Sequence, residues 1–190
     1  MRGIRDRDVQ ILAAHSRTLE TDYASEEDEW DGSPFAWIKN RPSRQVGKIG
    51  ESLVAGWLAT KGLDVARAKG SEADLIITAR RIRVEVKFST LWKTGCYKFQ
   101  QLRDQDYRFA ICLGISPFDA HCWAIPKTVI LHRWRKGDGI SSQHRGKAGS
   151  DTAWLSVRPG EEPTWLREHG GACSAGFQAI TKLTRAKAGE

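Results

Sequence analysis

This sequence has neither a long apolar run nor a cysteine framework. Its hydrophobic stretches fall well short of the roughly 18 to 20 residues that a membrane span needs, so no membrane role is expected. Its cysteines are four, Cys96, Cys112, Cys122 and Cys173, with no CxxC pair and no regular spacing. With no signal-peptide pattern ahead of them, they point to free thiols in a reducing cytoplasm. The histidines His15, His121, His132, His144 and His169 form neither HxxxH nor HExxH, which argues against zinc held by Cys and His. GxSxG is missing, and Gly47 and Gly50 lack the strand before and the GK[ST] after that a phosphate-cradling loop requires. Internal repeats and long low-complexity tracts are absent as well.

Charge is plentiful and uneven. The chain of 190 residues carries a formal net charge of +7. Residues 1–40 hold five Lys/Arg against nine Asp/Glu, while residues 41–190 hold twenty-five against fourteen. A basic body of that size attracts polyanions and can neutralise backbone phosphates, although solubility alone also accounts for such charge. The acidic run over residues 20–31 reads as a solvated segment, or as a mimic of DNA phosphates lying over a basic cleft.

The length suits one compact domain with additions at both ends. Residues 8–19 have near-helical apolar spacing through Val9, Leu12 and Leu19. Val46, Ile49, Leu53, Val54, Trp57 and Leu58 form an apolar stripe that predicts a helix ending at Gly62. Strands are expected over 63–67, 74–78, 82–88, 107–115, 121–125 and 153–157. Short helices are expected over 99–103 and near Trp165, and a longer one over 127–134. A polar, glycine-rich loop is expected over 136–151, and a loosely held basic tail from Gly170 onward.

The chemistry concentrates between Asp74 and Lys87. Alternation in the second strand puts Ile82, Val84, Val86 and Phe88 on one face and Arg83, Glu85 and Lys87 on the other. A tight turn at Ala79 and Arg80 sets Leu75 against Val84, Ile77 against Ile82, and Asp74 opposite Glu85. Two carboxylates facing each other across a ladder repel. A hard cation such as Mg²⁺, which takes one or two carboxylates and completes its shell with water and phosphate oxygens, removes that conflict. It would polarise a scissile phosphate and acidify a bound water, with Lys87 orienting that water or stabilising developing charge. The bland alternative is an exposed hairpin carrying an inconsequential Glu–Lys pair.

These residues resemble the PD-(D/E)xK nuclease superfamily, which includes type II restriction endonucleases and archaeal Holliday-junction resolvases. Its core runs helix, three strands, helix, strand, and residues 46–115 read in that order. The resemblance matches the family's first metal-ligand Asp to Asp74 and its triplet to Glu85, Val86 and Lys87. It matches an acidic residue on the first helix to Glu51, which on its own reads equally as a favourable charge near a helix start. Gln100 corresponds to a site-lining Gln, with Gln101 as the competing choice. Ala73 stands where the family name has proline. The resemblance implies a metal site of Asp74, Glu85 and Glu51, Mg²⁺ with Mn²⁺ as a substitute, and a homodimer cutting each DNA strand once.

The expectation is an α/β fold with a restriction-endonuclease-like core, a central mixed β-sheet flanked by helices. It divides into residues 1–40 (N-terminal helix and acidic segment), 41–170 (nuclease domain) and 171–190 (basic tail). The expected activity is Mg²⁺-dependent hydrolysis of DNA phosphodiesters by a metal-activated water, first in restriction. The alternatives are a repair or junction-resolving nuclease acting on branched DNA, and a non-catalytic DNA-binding protein. Trp92, with Lys93 and Lys98, either grips DNA or packs its loop onto the core. Arg133, Arg135, Lys136, Arg145 and Lys147 are candidate DNA contacts.

Overall fold

The structure, a computed structural model, describes residues 29–144 and 151–186, with Ala13 alone ahead of them. Most of the expected helix over 8–19, and the acidic residues 20–28, lie outside the described residues. A short α1 (Ala36–Lys39) leads into α2 (Ser43–Thr60), whose Val54 and Leu58 are fully buried one turn apart. Burying a side chain of that size contributes roughly 1.5–3 kcal/mol. The chain continues through β1 (Val65–Arg67), β2 (Leu75–Ile77), β3 (Ile82–Thr90), β4 (Tyr97–Leu102), β5 (Phe109–Ile115) and β6 (Ala120–Pro126). Then follow α3 (Lys127–Lys136), β7 (Ile140–Ser142), β8 (Ala153–Val157), α4 (Thr164–Arg167), β9 (Gly170–Ala172) and α5 (Cys173–Arg185).

Six strands form the central sheet in the order β1-β2-β3-β5-β6-β9, and β4-β8-β7 form a smaller one. The β3–β5 pair is parallel and the other pairs are antiparallel, so the central sheet is mixed. One face of it, with Val84, Val86 and Ile111, packs against Val54 and Leu58 of α2 and Ile180 of α5. The opposite face, with Ala110, Cys112 and Trp123, packs against Tyr97 and Phe99 of β4, Leu155 of β8 and Trp134 of α3. The expected α/β architecture is therefore present, with both faces of the central sheet covered.

Four expectations need correction. The helix over 99–103 is strand β4. A bulge sits between Phe99 and Leu102, with Gln101 at φ +57°. The bulge stretches the buried spacing from two residues to three, which imitates a helical repeat. The core order therefore departs from the family's: a strand of the second sheet, not a helix, carries the chain from β3 to its parallel neighbour β5. The loop over 136–151 contains β7, anchored by the buried Ile140. The tail from Gly170 forms β9 and α5, which packs on β6. Gly176 is essential there, because a Cβ would run into the carbonyl and side chain of Cys122. Small residues in this tail serve close packing, not looseness, and the domain reaches well past residue 170. It also begins before residue 41, since Trp30 and Ile38 are buried together against Ile115.

Candidate functional site

The hairpin register is as its two faces require: Leu75 pairs with Val84 and Ile77 with Ile82. The turn differs. Thr78–Arg80 makes one 3-10 turn, and Arg81 follows in the left-handed region at φ +53°. Past Val84 the two edges of β3 diverge. Its β5 edge is laddered from Val84 to Thr90, whereas its β2 edge is laddered only from Ile82 to Val84. A strand edge without a neighbour leaves backbone groups to be satisfied some other way. Asp74 does this for Val86: the Val86 N–H donates to the Asp74 carboxylate at 2.7 Å. The Asp74 backbone is held from both sides, its N–H donating to the Val84 carbonyl at 3.1 Å and its carbonyl accepting from the Ala68 N–H at 3.0 Å.

Glu85 and Lys87 lie on the β3 face shared with Ala110 and Cys112, at the margin of the aromatic core. Glu85 is 5% exposed, and Lys87 Nζ lies 2.6 Å from its Oε1. Burial pushes the Glu85 carboxyl above the usual carboxylate range; Lys87 opposes the shift, and Asp74, within hydrogen-bonding reach, adds to it. Glu51 comes from α2 across the open edge. Its carboxyl is also raised, first by burial and then by Asp74, with Arg67, Lys48 and Lys87 pulling it down. Asp74 thus acts on both Glu51 and Glu85 around the gap that β2 leaves beside β3. The approach of α2 is made possible by Gly50, whose missing side chain leaves room for Phe88 of β3.

Asp74, Glu85, Lys87 and Glu51 are brought together. Gln100 is half-buried on β4, and the ionic and hydrogen-bonding contacts of the cluster do not run to it among the described residues. Gln101 is exposed at the bulge. Arg133 is occupied by an ion pair with Asp138 and lies over the Trp165 ring. Arg145 and Lys147 lie outside the described residues, while Arg135 and Lys136 are exposed on α3. Cys112, beside Lys87, has its thiol pushed up to about 12 by burial, which leaves it inert as a nucleophile. Sequence reasoning missed Gly50 as a contact point. It also missed Arg67, whose charge acts on Glu51 and whose guanidinium reaches the Ser52 hydroxyl at 3.4 Å.

Among the described residues no three His, Cys, Asp or Glu side chains converge closely enough to enclose a metal ion. The carboxylates placed to meet a cation are Asp74 and Glu85, whose like charges act on one another.

No protein-family model matches the chain. No curated protein matches it either. Among solved structures the chain is similar to a bacterial homing endonuclease, I-Ssp6803I, at 19% identity, covering 76% of this chain and 99% of that one with a TM-score of 0.46.

Proposed function

We propose that the chain is a metal-dependent DNA endonuclease whose reaction centre is Asp74, Glu85 and Lys87, with Glu51 beside them. The observation that carries this reading is a buried glutamate paired to a lysine at 2.6 Å and crowded by a second carboxylate at an open sheet edge. Such crowding costs stability in a fold that makes no use of it, because desolvation and like charge both oppose ionisation. Perturbed carboxyls gathered in one place are characteristic of functional sites. Asp74 and Glu85 would hold Mg²⁺ or Mn²⁺, and Glu51 would add negative charge beside Asp74 instead of a third direct ligand. The bound ion supplies charge neutralisation on the scissile phosphate and a more acidic water. Lys87 holds Glu85 in the resting site and is placed to orient the attacking water and to stabilise charge on the phosphate oxygens. Arg44 and Lys48 share the helical face of Glu51, seven and three residues before it, and suit phosphate contacts leading to the cluster.

Restriction-type cleavage is the first role. A repair or junction-resolving nuclease is the second, and the exposed Trp37 and Trp92 favour it. The test is supercoiled plasmid and branched DNA with Mg²⁺ or EDTA, beside Lys87→Ala and Glu85→Ala. Metal-dependent nicking or linearisation that both variants lose supports the nuclease. Intact DNA throughout, with wild type and variants binding it equally, would leave a DNA-binding protein without catalysis.

A further inference from the structure

Three large hydrophobic side chains stand out in solvent among the described residues: Trp37 at 51%, Trp92 at 43% and Phe118 at 70% exposure. All three sit at one pole of the central sheet. β3 and β5 end side by side there, with Thr90 paired to Ile115. Trp92 lies two residues beyond Thr90, in the turn where the Leu91 N–H donates to the Ile115 carbonyl at 2.8 Å. Phe118 is at the tip of the β5–β6 turn, closed by the Ser116 N–H donating to the Asp119 carbonyl at 2.8 Å. Trp37 is on α1, whose neighbour Ile38 packs on Ile115, and the Ser33 hydroxyl ahead of it donates to the Pro117 carbonyl. Short, anchored connectors therefore hold these rings out.

Each tryptophan carries a cation on its ring. Lys98 Nζ lies 4.0 Å from the Trp92 centroid, and the Arg41 guanidinium carbon 5.8 Å from that of Trp37. An apolar protein partner would have to strip both cations of water. A nucleotide supplies what this surface lacks, a flat ring to stack and a phosphate for the charge. A paired base hides its faces within the duplex stack, so only an unpaired or splayed base can use them. Lys87 lies three residues before Thr90 on the same strand, about 10 Å from this pole.

We propose that this pole is a stacking site for unpaired bases, so that the DNA taken by the chain carries a single-stranded or splayed segment beside the duplex. This rests on the nuclease reading for what happens to the bound DNA, but binding alone tests it. Fluorescence anisotropy in EDTA would compare a fully paired duplex with the same duplex bearing an oligo-thymidine overhang. Wild type should bind the overhang DNA about tenfold tighter, within the range measured for base–aromatic stacking. Trp92→Ala should lose most of that preference and leave duplex affinity unchanged, while Trp92→Phe keeps most of it. Equal affinity of wild type for the two DNAs overturns the proposal, as does equal weakening of both by Trp92→Ala. Adding Mg²⁺ to the same samples separates the two claims. Overhang preference without cleavage upholds the stacking site and removes the nuclease. Cleavage of both DNAs by wild type, with no preference in binding, does the reverse.

Discussion

The two edges of β3 make an instructive contrast. On its β5 side the strand is laddered over seven residues, and the neighbours Phe109, Ile111 and Leu113 are buried beneath α2 and α5. On its β2 side the ladder stops at Val84, and a carboxylate side chain takes over the Val86 N–H. The first edge is built as any core is built, from apolar area and complete backbone pairing. The second holds Glu85 buried against Lys87 and Asp74, with Glu51 beside Asp74, an arrangement that burial and like charge both oppose. Stability belongs to one edge of this strand and, on the proposed reading, chemistry to the other.

Breaking the closed edge should have the largest effect. Ile111→Ala leaves a cavity where no water enters, and should cost about 2–5 kcal/mol of stability by denaturant unfolding. Its remaining activity should follow the folded fraction. At the open edge Lys87→Ala should reverse the pattern in activity, losing at least about a hundredfold in cleavage, as removal of a group that stabilises developing charge does. It also leaves Glu85 buried without its partner, so Lys87→Arg serves as the control that keeps the charge. An alanine variant that cuts like wild type would remove Lys87 from the chemistry.

Gly50→Ala probes the join between the two edges. Its methyl group meets Phe88, and such overpacking costs roughly 1–3 kcal/mol. Because α2 must shift, Glu51 moves with it, and activity should fall further than stability explains. Adding Phe88→Leu should recover part of both.

The smallest effect concerns protons. Folding raises the Glu51 carboxyl, so the folded chain favours its protonated form. That contribution is fully present below the ordinary carboxylate value and is lost as pH rises through the folded value. Glu51→Gln should therefore raise the melting temperature of the metal-free protein by a few degrees at about pH 8, and hardly at all at about pH 4. Millimolar Mg²⁺ or Mn²⁺ should stabilise wild type at about pH 8 and narrow that gap, because a cation binds only the ionised carboxylates. A gap independent of both pH and metal would separate Glu51 from the cluster.

The open edge was largely legible in the sequence, because Asp74, Glu85 and Lys87 sit on a hairpin whose apolar residues allow one register only. A one-residue slip would have buried Arg83 and exposed Val84, so the pattern itself excluded it. The α2 stripe and strands β5, β6 and β8 were legible for the same reason. What hid was whatever broke a simple period. The bulge at Gln101 gave β4 a helical spacing, and Gln100 was misplaced with it. α5 was hidden by composition, since Gly176 and its small neighbours look like a tail until they are seen against Cys122. Trp30 looked like part of the acidic run, because its partners Ile38 and Ile115 are remote in sequence.

The route from β3 to β5 also bears on the order in which the molecule is made. β4 finds its strand partner only in β8, with Tyr97 beside Val157, and β9 and α5 close on β6 later still. A ribosome that has released the residues of the proposed reaction centre has supplied α2 for one side of their sheet, but not yet α5 beside it, nor β4, β8 and α3 for the other side. Contacts this distant along the chain form slowly, and sheets left uncovered meanwhile are prone to stick. The proposed site becomes rigid only once β8, β9 and α5 have followed it, and a copy lacking them has its residues without the framework to aim them.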